Sequence, residues 1–175
     1  ARNRIEVAVY EVEPEITPLG EPQPVWWFTA GSNHRALTPS LGRWANGIIL
    51  MDADVIVGGD YNPQMVGMQP GDEVLVPIQW MAEDPTEAPL VGFVHLLGPD
   101  GTVIAQDDHE PDDGFYPTDR WLLGVVNNEF DFTLPDELPA GEYRLITGWY
   151  DKATGERVPT SGGADAIEIA RWGTE

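Results

Sequence analysis

The sequence contains no cysteine and few basic residues. Nine Lys and Arg residues stand against 30 Asp and Glu residues in a chain of 175, so the formal net charge is -21 and the sequence pI is about 4.1. Without cysteine the chain has no disulfide, no thiolate metal site and no cysteine nucleophile. The negative charge repels phosphate backbones and anionic lipid headgroups, which argues against binding to nucleic acids and to anionic membrane surfaces.

Long apolar runs are also missing. No stretch approaches the roughly 18 to 20 apolar residues that a transmembrane helix needs, and Arg2, Arg4 and Glu6 place charges where a signal peptide would be apolar. We therefore expect a soluble chain that does not itself insert into a membrane. With a mass of 19.3 kDa the chain suffices for one hydrophobic core and hardly for two. This size predicts a single domain over residues 1–175.

Turn residues are abundant, since glycine and proline occupy 19 and 16 positions. Short segments with apolar residues at every second position recur between these turns, whereas no apolar period of 3.6 residues is sustained. The sequence therefore predicts an all-β fold, an antiparallel β-sandwich of seven to nine strands, either immunoglobulin-like or jelly-roll-like. The predicted strands are Ile5 to Val12, one or two within Ile48 to Val57, Asp72 to Trp80, Leu90 to Leu97, Thr102 to Asp107, Phe130 to Leu134, Glu142 to Asp151, Glu156 to Val158 and Ala164 to Ile169.

Two parts of this domain differ in composition. Residues 1–24 combine the first predicted strand with a proline-rich loop, and the sandwich core is expected over about residues 47–169. Pro77 lies inside a predicted strand, where it cannot donate to a β-ladder, so we expect an edge or a bulge there.

His95 alternates with apolar residues along Leu90 to Leu97, which favours a structural histidine in or near the core over a ligand or an acid-base group. The strand is followed by Gly98-Pro99-Asp100-Gly101, which predicts a hairpin turn. A three-residue loop would place His95 opposite Ala105, and a two-residue loop would place it opposite Gln106. His95 and Gln106 are kept as candidate ligand-binding residues.

Carboxylates are concentrated in one short segment, where five fall within seven residues: Asp107, Asp108, Glu110, Asp112 and Asp113. Calcium takes about six to eight oxygen ligands, so a calcium site here is chemically reasonable. The spacing departs from that of an EF-hand loop because the glycine falls at Gly114. A solvated acidic loop is the alternative, and no other cofactor is expected.

Aromatic side chains offer a different kind of site, because they can stack on sugar rings. Trp121 is the best candidate, since the segment from Tyr116 to Arg120 before it has the composition of a loop, and Tyr116 and Arg120 accompany it as binding candidates. No catalytic residue is predicted, because no serine has a nucleophile-elbow motif and no carboxylate pair stands out. The other tryptophans considered for stacking are Trp26, Trp27, Trp44 and Trp149, with Trp80 and Trp149 expected to be core.

Short motifs in a fixed order occur along the second half of the chain: Val94-His95-Leu96-Leu97, Pro99-Asp100-Gly101, Ala105-Gln106-Asp107, Tyr116-Pro117-Thr118, Leu138-Pro139-Ala140-Gly141-Glu142-Tyr143 and Gly148-Trp149-Tyr150-Asp151. With Gly47 to Val57 and Gln79-Trp80-Met81-Ala82 upstream, they resemble the C-terminal extracytoplasmic β-rich domain of bacterial membrane glycosyltransferases of the dolichyl-phosphate-mannose-protein mannosyltransferase type. Pro77 and Asn128 depart from that pattern.

This resemblance implies a non-catalytic accessory module outside the cytoplasm, tethered to the membrane through a membrane-embedded parent chain and contacting a glycan or an acceptor. Two other hypotheses follow from the residues alone. One is a stand-alone calcium-binding or glycan-hydrolysing domain that uses the acidic segment 107–113. The other is a structural spacer without a ligand.

Overall fold

A computed structural model describes residues 41–62, 65, 67–82 and 84–174. The chain divides into two compact units, residues 1–37 and 38–175, and every described residue belongs to the second unit. The predicted strand Ile5 to Val12, the proline-rich loop, Trp26 and Trp27 lie outside the described residues. Within the described ranges, no helix has both the length and the apolar character required to cross a membrane.

The described residues form ten β-strands and two short 3-10 helices, the latter at Pro111–Gly114 and Thr118–Arg120. The segment Glu156 to Val158 is not a strand, because only Arg157 makes an isolated bridge, to Tyr150. The strands are β1 (Gly42–Arg43), β2 (Ile48–Ala53), β3 (Ile56–Val57), β4 (Asp60–Tyr61), β5 (Glu73–Ala82), β6 (Leu90–Leu97), β7 (Val103–His109), β8 (Gly124–Thr133), β9 (Gly141–Asp151) and β10 (Ile167–Thr174).

The strands form two antiparallel sheets, as predicted. In sheet I, β8 pairs with one edge of β5 along its whole length, β2 and β3 share the other edge, β1 adjoins β2 and β4 adjoins β3. In sheet II the order is β10-β9-β6-β7. Buried side chains from both sheets form one core, in which the Trp80 and Trp149 rings lie 4.8 Å apart between centroids. The predicted all-β sandwich is confirmed.

Alternation along the extended chain decides which side chains enter this core. In β5, Val74, Val76, Ile78 and Trp80 are buried, whereas the residues between them face outward from sheet I. The even-numbered residues of β6, such as Leu96, face these side chains across the core. His95 has an odd number and therefore lies on the outer face of sheet II. The outer face of sheet I is therefore built from the odd-numbered residues of β5 and from their partners in β8.

Pro77 lies in β5, which is a central strand and not an edge. The Asp54 amide donates to the Pro77 carbonyl oxygen at 3.0 Å, but proline has no N–H to return the second bond of that antiparallel pair. The ladder beside β5 is interrupted there, between the end of β2 and the start of β3. The bulge of this region lies one strand away, at Met51 in β2.

The hairpin between β6 and β7 combines features of both predicted alternatives. The Gly98 amide donates to the Thr102 carbonyl at 2.8 Å, which leaves a three-residue loop that ends at Gly101 with φ +81°. Ile104 is an extra residue in the ladder and shifts the register by one. His95 therefore lies opposite Gln106, although the loop has three residues.

Candidate functional site

One concavity among the described residues lies where the outer face of sheet I meets β7 and the turn at Pro111–Gly114. Its volume is about 560 Å³. We call it the acidic cleft and define it by its lining residues: Leu75, Asp107, His109, Asp112, Asp113, Asn127, Asn128, Glu129 and Asp131. Five of these nine side chains are carboxylates and two are amides, so the cleft offers mainly hydrogen-bond acceptors.

Strand β8 supplies the wall of the acidic cleft through its alternation. Asn127, Glu129 and Asp131 are exposed on the outer face, while Phe130 and Phe132 are buried in the core. Across the ladder, the Gln79 side-chain amide donates to the Asn127 carbonyl oxygen at 3.2 Å. The rigid β5–β8 pair therefore fixes the spacing of the polar groups along this wall.

Strand β7 approaches from sheet II and closes one side of the cleft. The Asp131 backbone amide, on the free edge of β8, donates to Asp107 Oδ2 at 2.9 Å. The same oxygen lies 3.3 Å from His109 Nδ1, and the His109 ring lies 4.4 Å from the Phe130 ring between centroids. Asp107 thus connects the two sheets within the acidic cleft.

The turn at Pro111–Gly114 carries two further carboxylates. Asp112 and Asp113 have φ angles of 51° and 50°, in the left-handed region that aspartate tolerates better than most residues. The turn closes with the Phe115 amide donating to the Asp112 carbonyl at 2.8 Å. The Phe115 side chain is 85% exposed, so a large apolar ring stands in solvent beside the acidic turn.

Two smaller concavities adjoin the acidic cleft on the outer face of sheet I. One, of about 380 Å³, shares Asn127 and Glu129 with the cleft and continues towards Asp52 and Asp54. The other, of about 390 Å³, shares Leu75 and Asp131 and continues towards Glu73. The three concavities therefore adjoin one another through shared lining residues.

Trp121 was predicted to be accessible for stacking on a sugar, but it is buried in the core. It is 0% exposed, packs edge-on against Trp149 with ring centroids 5.6 Å apart, and donates from Nε1 to the Tyr116 carbonyl at 2.8 Å. A ring enclosed in the core has no free face for a sugar, so this prediction is corrected. Tyr116 is half-buried and its hydroxyl accepts from the Leu122 amide, while Arg120 is exposed. Trp44 and Trp80 are also fully buried.

His95 and Gln106 lie on the outer face of sheet II, on a different sheet from the cleft wall. His95 Nε2 is 2.7 Å from Asp108 Oδ1, and Arg157 Nη2 is 3.3 Å from His95 Nδ1. Arginine can only donate, so Nδ1 accepts and the imidazole proton is on Nε2, where it is donated to Asp108. With both nitrogens used, this buried imidazole has the geometry of a structural residue.

The five acids of the predicted calcium site do not share one location. Asp108 faces His95 on the outer side of sheet II, and Glu110 pairs with Lys152. Only Asp107, Asp112 and Asp113 line the acidic cleft. Among the residues described, no group of three or more histidines and carboxylates converges as metal ligands. The structure therefore does not assemble the five-carboxylate calcium site, because neighbouring residues of an extended strand point to opposite faces.

Comparisons with known proteins do not assign the chain to a family. No family model matches the chain, and no curated protein matches it. Among solved structures, the chain is similar to the C-terminal domain of wzt, with 15% sequence identity and a TM-score of 0.44 over 72% of this chain and 74% of that chain. A likeness at this level carries no information about function.

The predicted glycosyltransferase family is wrong. No model of that family matches the chain, and the solved domain to which it is similar belongs to a different protein. The short motifs that suggested the family are mostly turns and strand ends, such as the hairpin at Pro99-Asp100-Gly101, which many β-sandwiches need for physical reasons. The membrane-embedded parent chain and the extracytoplasmic location were implied by that resemblance alone.

Sequence reasoning missed the wall of the acidic cleft. Strand β8 was predicted to begin at Phe130, whereas it begins at Gly124 and so includes Asn127 and Glu129. The alternation of polar with aromatic residues from Asn127 to Phe132 was the available signal. It was obscured by Asn128, a polar residue at an inward position.

Proposed function

We propose that this domain is a non-catalytic carbohydrate-binding module that holds a glycan in the acidic cleft. A single observation carries the proposal: a cleft of about 560 Å³ is lined by carboxylate and amide groups of β7, β8 and the turn at Pro111–Gly114, and the exposed Phe115 follows that turn directly. Sugars present many hydroxyl donors on a compact ring with apolar faces. Planar acceptors combined with an aromatic surface complement both properties.

The position of Phe115 supports this function. A solvent-exposed phenylalanine gains nothing from burial in the free domain, and it follows Asp113 in the sequence by only two residues. A sugar ring stacked on Phe115 would lie close to the carboxylates of the same turn. The ring thus takes the stacking role that the sequence had suggested for the buried Trp121.

Binding is tested with the whole 175-residue chain on a glycan array, followed by calorimetry with the best ligand. Phe115→Ala is expected to weaken binding about tenfold, as the loss of one aromatic stacking contact predicts. Phe115→Trp, which keeps an aromatic face, is expected to bind at least as well as the wild-type chain. Because the ring is exposed, both variants should retain the wild-type melting temperature.

Two results would contradict the proposal. A blank array, with no heat of binding for any glycan, would leave the cleft without a carbohydrate role and would favour the spacer hypothesis. Release of shortened products during incubation with the bound glycan would show hydrolysis, so the domain would be a glycosidase and not a binding module.

A further inference from the structure

The outer face of sheet II carries a chain of polar contacts that is separate from the acidic cleft. His95 is 8% exposed and lies between two charged groups of opposite sign. Its Nε2 is 2.7 Å from Asp108 Oδ1, and its Nδ1 is 3.3 Å from Arg157 Nη2. The neutral imidazole therefore donates to a carboxylate and accepts from a guanidinium at the same time.

Arg157 also covers an aromatic ring. Its guanidinium carbon lies 4.5 Å from the centroid of the Phe93 ring, which is 0% exposed although it lies on the outer face of the sheet. Such a ring is buried only by the groups that lie over it. Arg157 follows β9 and is itself exposed, so its guanidinium can turn into solvent by a change of side-chain rotamer. The contact with Phe93 can therefore be lost without unfolding of either strand.

The titratable and charged groups that surround this imidazole come from three elements. β7 contributes Asp108, β9 contributes Tyr150 and Arg144, and the segment after β9 contributes the guanidinium already described. Burial, followed by the charge of Asp108 and a hydrogen bond to it, raises the pKa of Tyr150, so this hydroxyl stays neutral at neutral and acidic pH. Arg144 lies two residues from the position opposite His95 and interacts with Glu168 on β10. Among the described residues, Asp108 is the one carboxylate bonded to His95.

Protonation of the imidazole would change the charge balance of this group. A proton on Nδ1 replaces the acceptor with a second donor, so the hydrogen bond from Arg157 is lost and two cations face each other across 3.3 Å. Asp108 can balance only one of them, and the imidazolium stays hydrogen-bonded to it through Nε2. The guanidinium is the cation that leaves, because it already reaches solvent.

We propose that His95 is a pH-sensitive latch for Arg157. The neutral imidazole holds the guanidinium over Phe93, and the protonated imidazole releases it and uncovers that face of the ring. Histidine is the side chain that ordinarily changes charge between about pH 5 and 8, so the latch opens on mild acidification. It lies on the other sheet from the wall of the acidic cleft and does not depend on the carbohydrate-binding function.

NMR spectroscopy of the whole chain between about pH 8 and pH 5 measures this release. The methylene protons of an arginine held over an aromatic ring are shifted upfield by the ring current. Arg157 should show this shift at the upper end of the pH range and lose more than half of it at the lower end. Arg120, another exposed arginine, provides the reference position in the same spectra.

Three variants assign the change to the latch. His95→Gln is the matched control, because glutamine keeps one donor for Asp108 and one acceptor for Arg157 but gains no proton in this range. Its Arg157 signals should stay shifted throughout. Asp108→Asn removes the charge that stabilises the imidazolium, so release should need a pH lower by about half a unit or more. His109→Gln, which changes the imidazole beside Asp107 in the acidic cleft, should leave the release unchanged.

Three results would overturn the proposal. A shift of the Arg157 signals that is constant over the whole pH range in the wild-type chain would show that protonation does not release the guanidinium. Equal loss of the shift in His95→Gln and in the wild-type chain would assign the pH dependence to another group. A release midpoint that moves in His109→Gln and not in Asp108→Asn would place the titrating group in the acidic cleft.

Discussion

Replacement of Thr118 by valine should destabilise the domain at the loop that precedes β8. Thr118 is fully buried, and its hydroxyl oxygen accepts from the Leu90 backbone amide at 2.9 Å at the start of β6. The Thr118 and Thr86 hydroxyls are hydrogen-bonded at 2.7 Å, and Thr86 donates to the Ala88 carbonyl. The Thr118 hydroxyl thus joins the loop before β8 to the segment 86–90, and valine has nearly the same shape without the oxygen.

The magnitude follows from the groups left without partners. An unpaired buried amide costs about 1 to 3 kcal/mol, and loss of the hydroxyl pair costs about 1 kcal/mol more. The free energy of unfolding should therefore fall by about 2 to 4 kcal/mol. For a chain of this size, that corresponds to a melting temperature lower by about 5 to 12 °C.

Urea denaturation and thermal melting of the whole chain measure this change. Thr118→Ser keeps the hydroxyl and loses one methyl group, so it should cost only about 1 kcal/mol. Thr133→Val, at an exposed position on β8, should be nearly neutral. If Thr118→Val were within about 0.5 kcal/mol of the wild-type chain, the hydroxyl would not be what holds the Leu90 amide, and the reasoning would be refuted.

Three further predictions concern the core and the pH dependence. Tyr143→Phe removes the hydroxyl that donates to the Pro139 carbonyl but keeps the ring stacked on Trp172, so chemical denaturation should show a loss of about 1 kcal/mol. Gly148→Ala would place a Cβ 2.6 Å from Phe93 Cζ and should cost about 1 to 3 kcal/mol in the same assay, whereas Gly162→Ala, with no atom nearer than 3.8 Å, should be nearly neutral. Burial raises the pKa of Tyr143, and burial followed by the negative charge of Asp108 raises the pKa of Tyr150. The free energy of unfolding should therefore be constant below the unfolded tyrosine pKa of about 10 and fall above it, because there these tyrosines ionise only in the unfolded chain. A urea midpoint that stays the same between pH 9 and 11 would contradict this.

The strands could be predicted from the sequence wherever alternation was uninterrupted. Leu90 to Leu97 has the bounds of β6, and Asp72 to Trp80 covers most of β5, because each alternates between faces and ends at turn residues. At Pro77 the prediction of an edge or a bulge was wrong, because β5 is a central strand and the bulge lies at Met51 in β2. Which strands are central depends on pairing between distant segments, and no local pattern contains that information.

The loops were harder to interpret, because a loop residue can enter the core of a sandwich. Trp121 lies in a segment of loop composition and was therefore expected to be accessible, yet it is enclosed against Trp149. Phe115 lies in a segment of similar composition and is the exposed ring. Composition alone cannot separate these two aromatics, because their burial is decided by how the connection between β7 and β8 folds back over the end of the sandwich.

Asn128 explains the error in the predicted start of β8. An amide at an inward position breaks the alternation of the strand, which is why the pattern before Phe130 did not predict a strand. The same amide is enclosed on the core side of the strand and has no partner for either polar atom. A residue chosen for stability alone would be apolar here, as Phe130 and Phe132 are at the next inward positions. In this strand the local pattern and the global fold therefore disagree at Asn128, where a polar side chain occupies a core position.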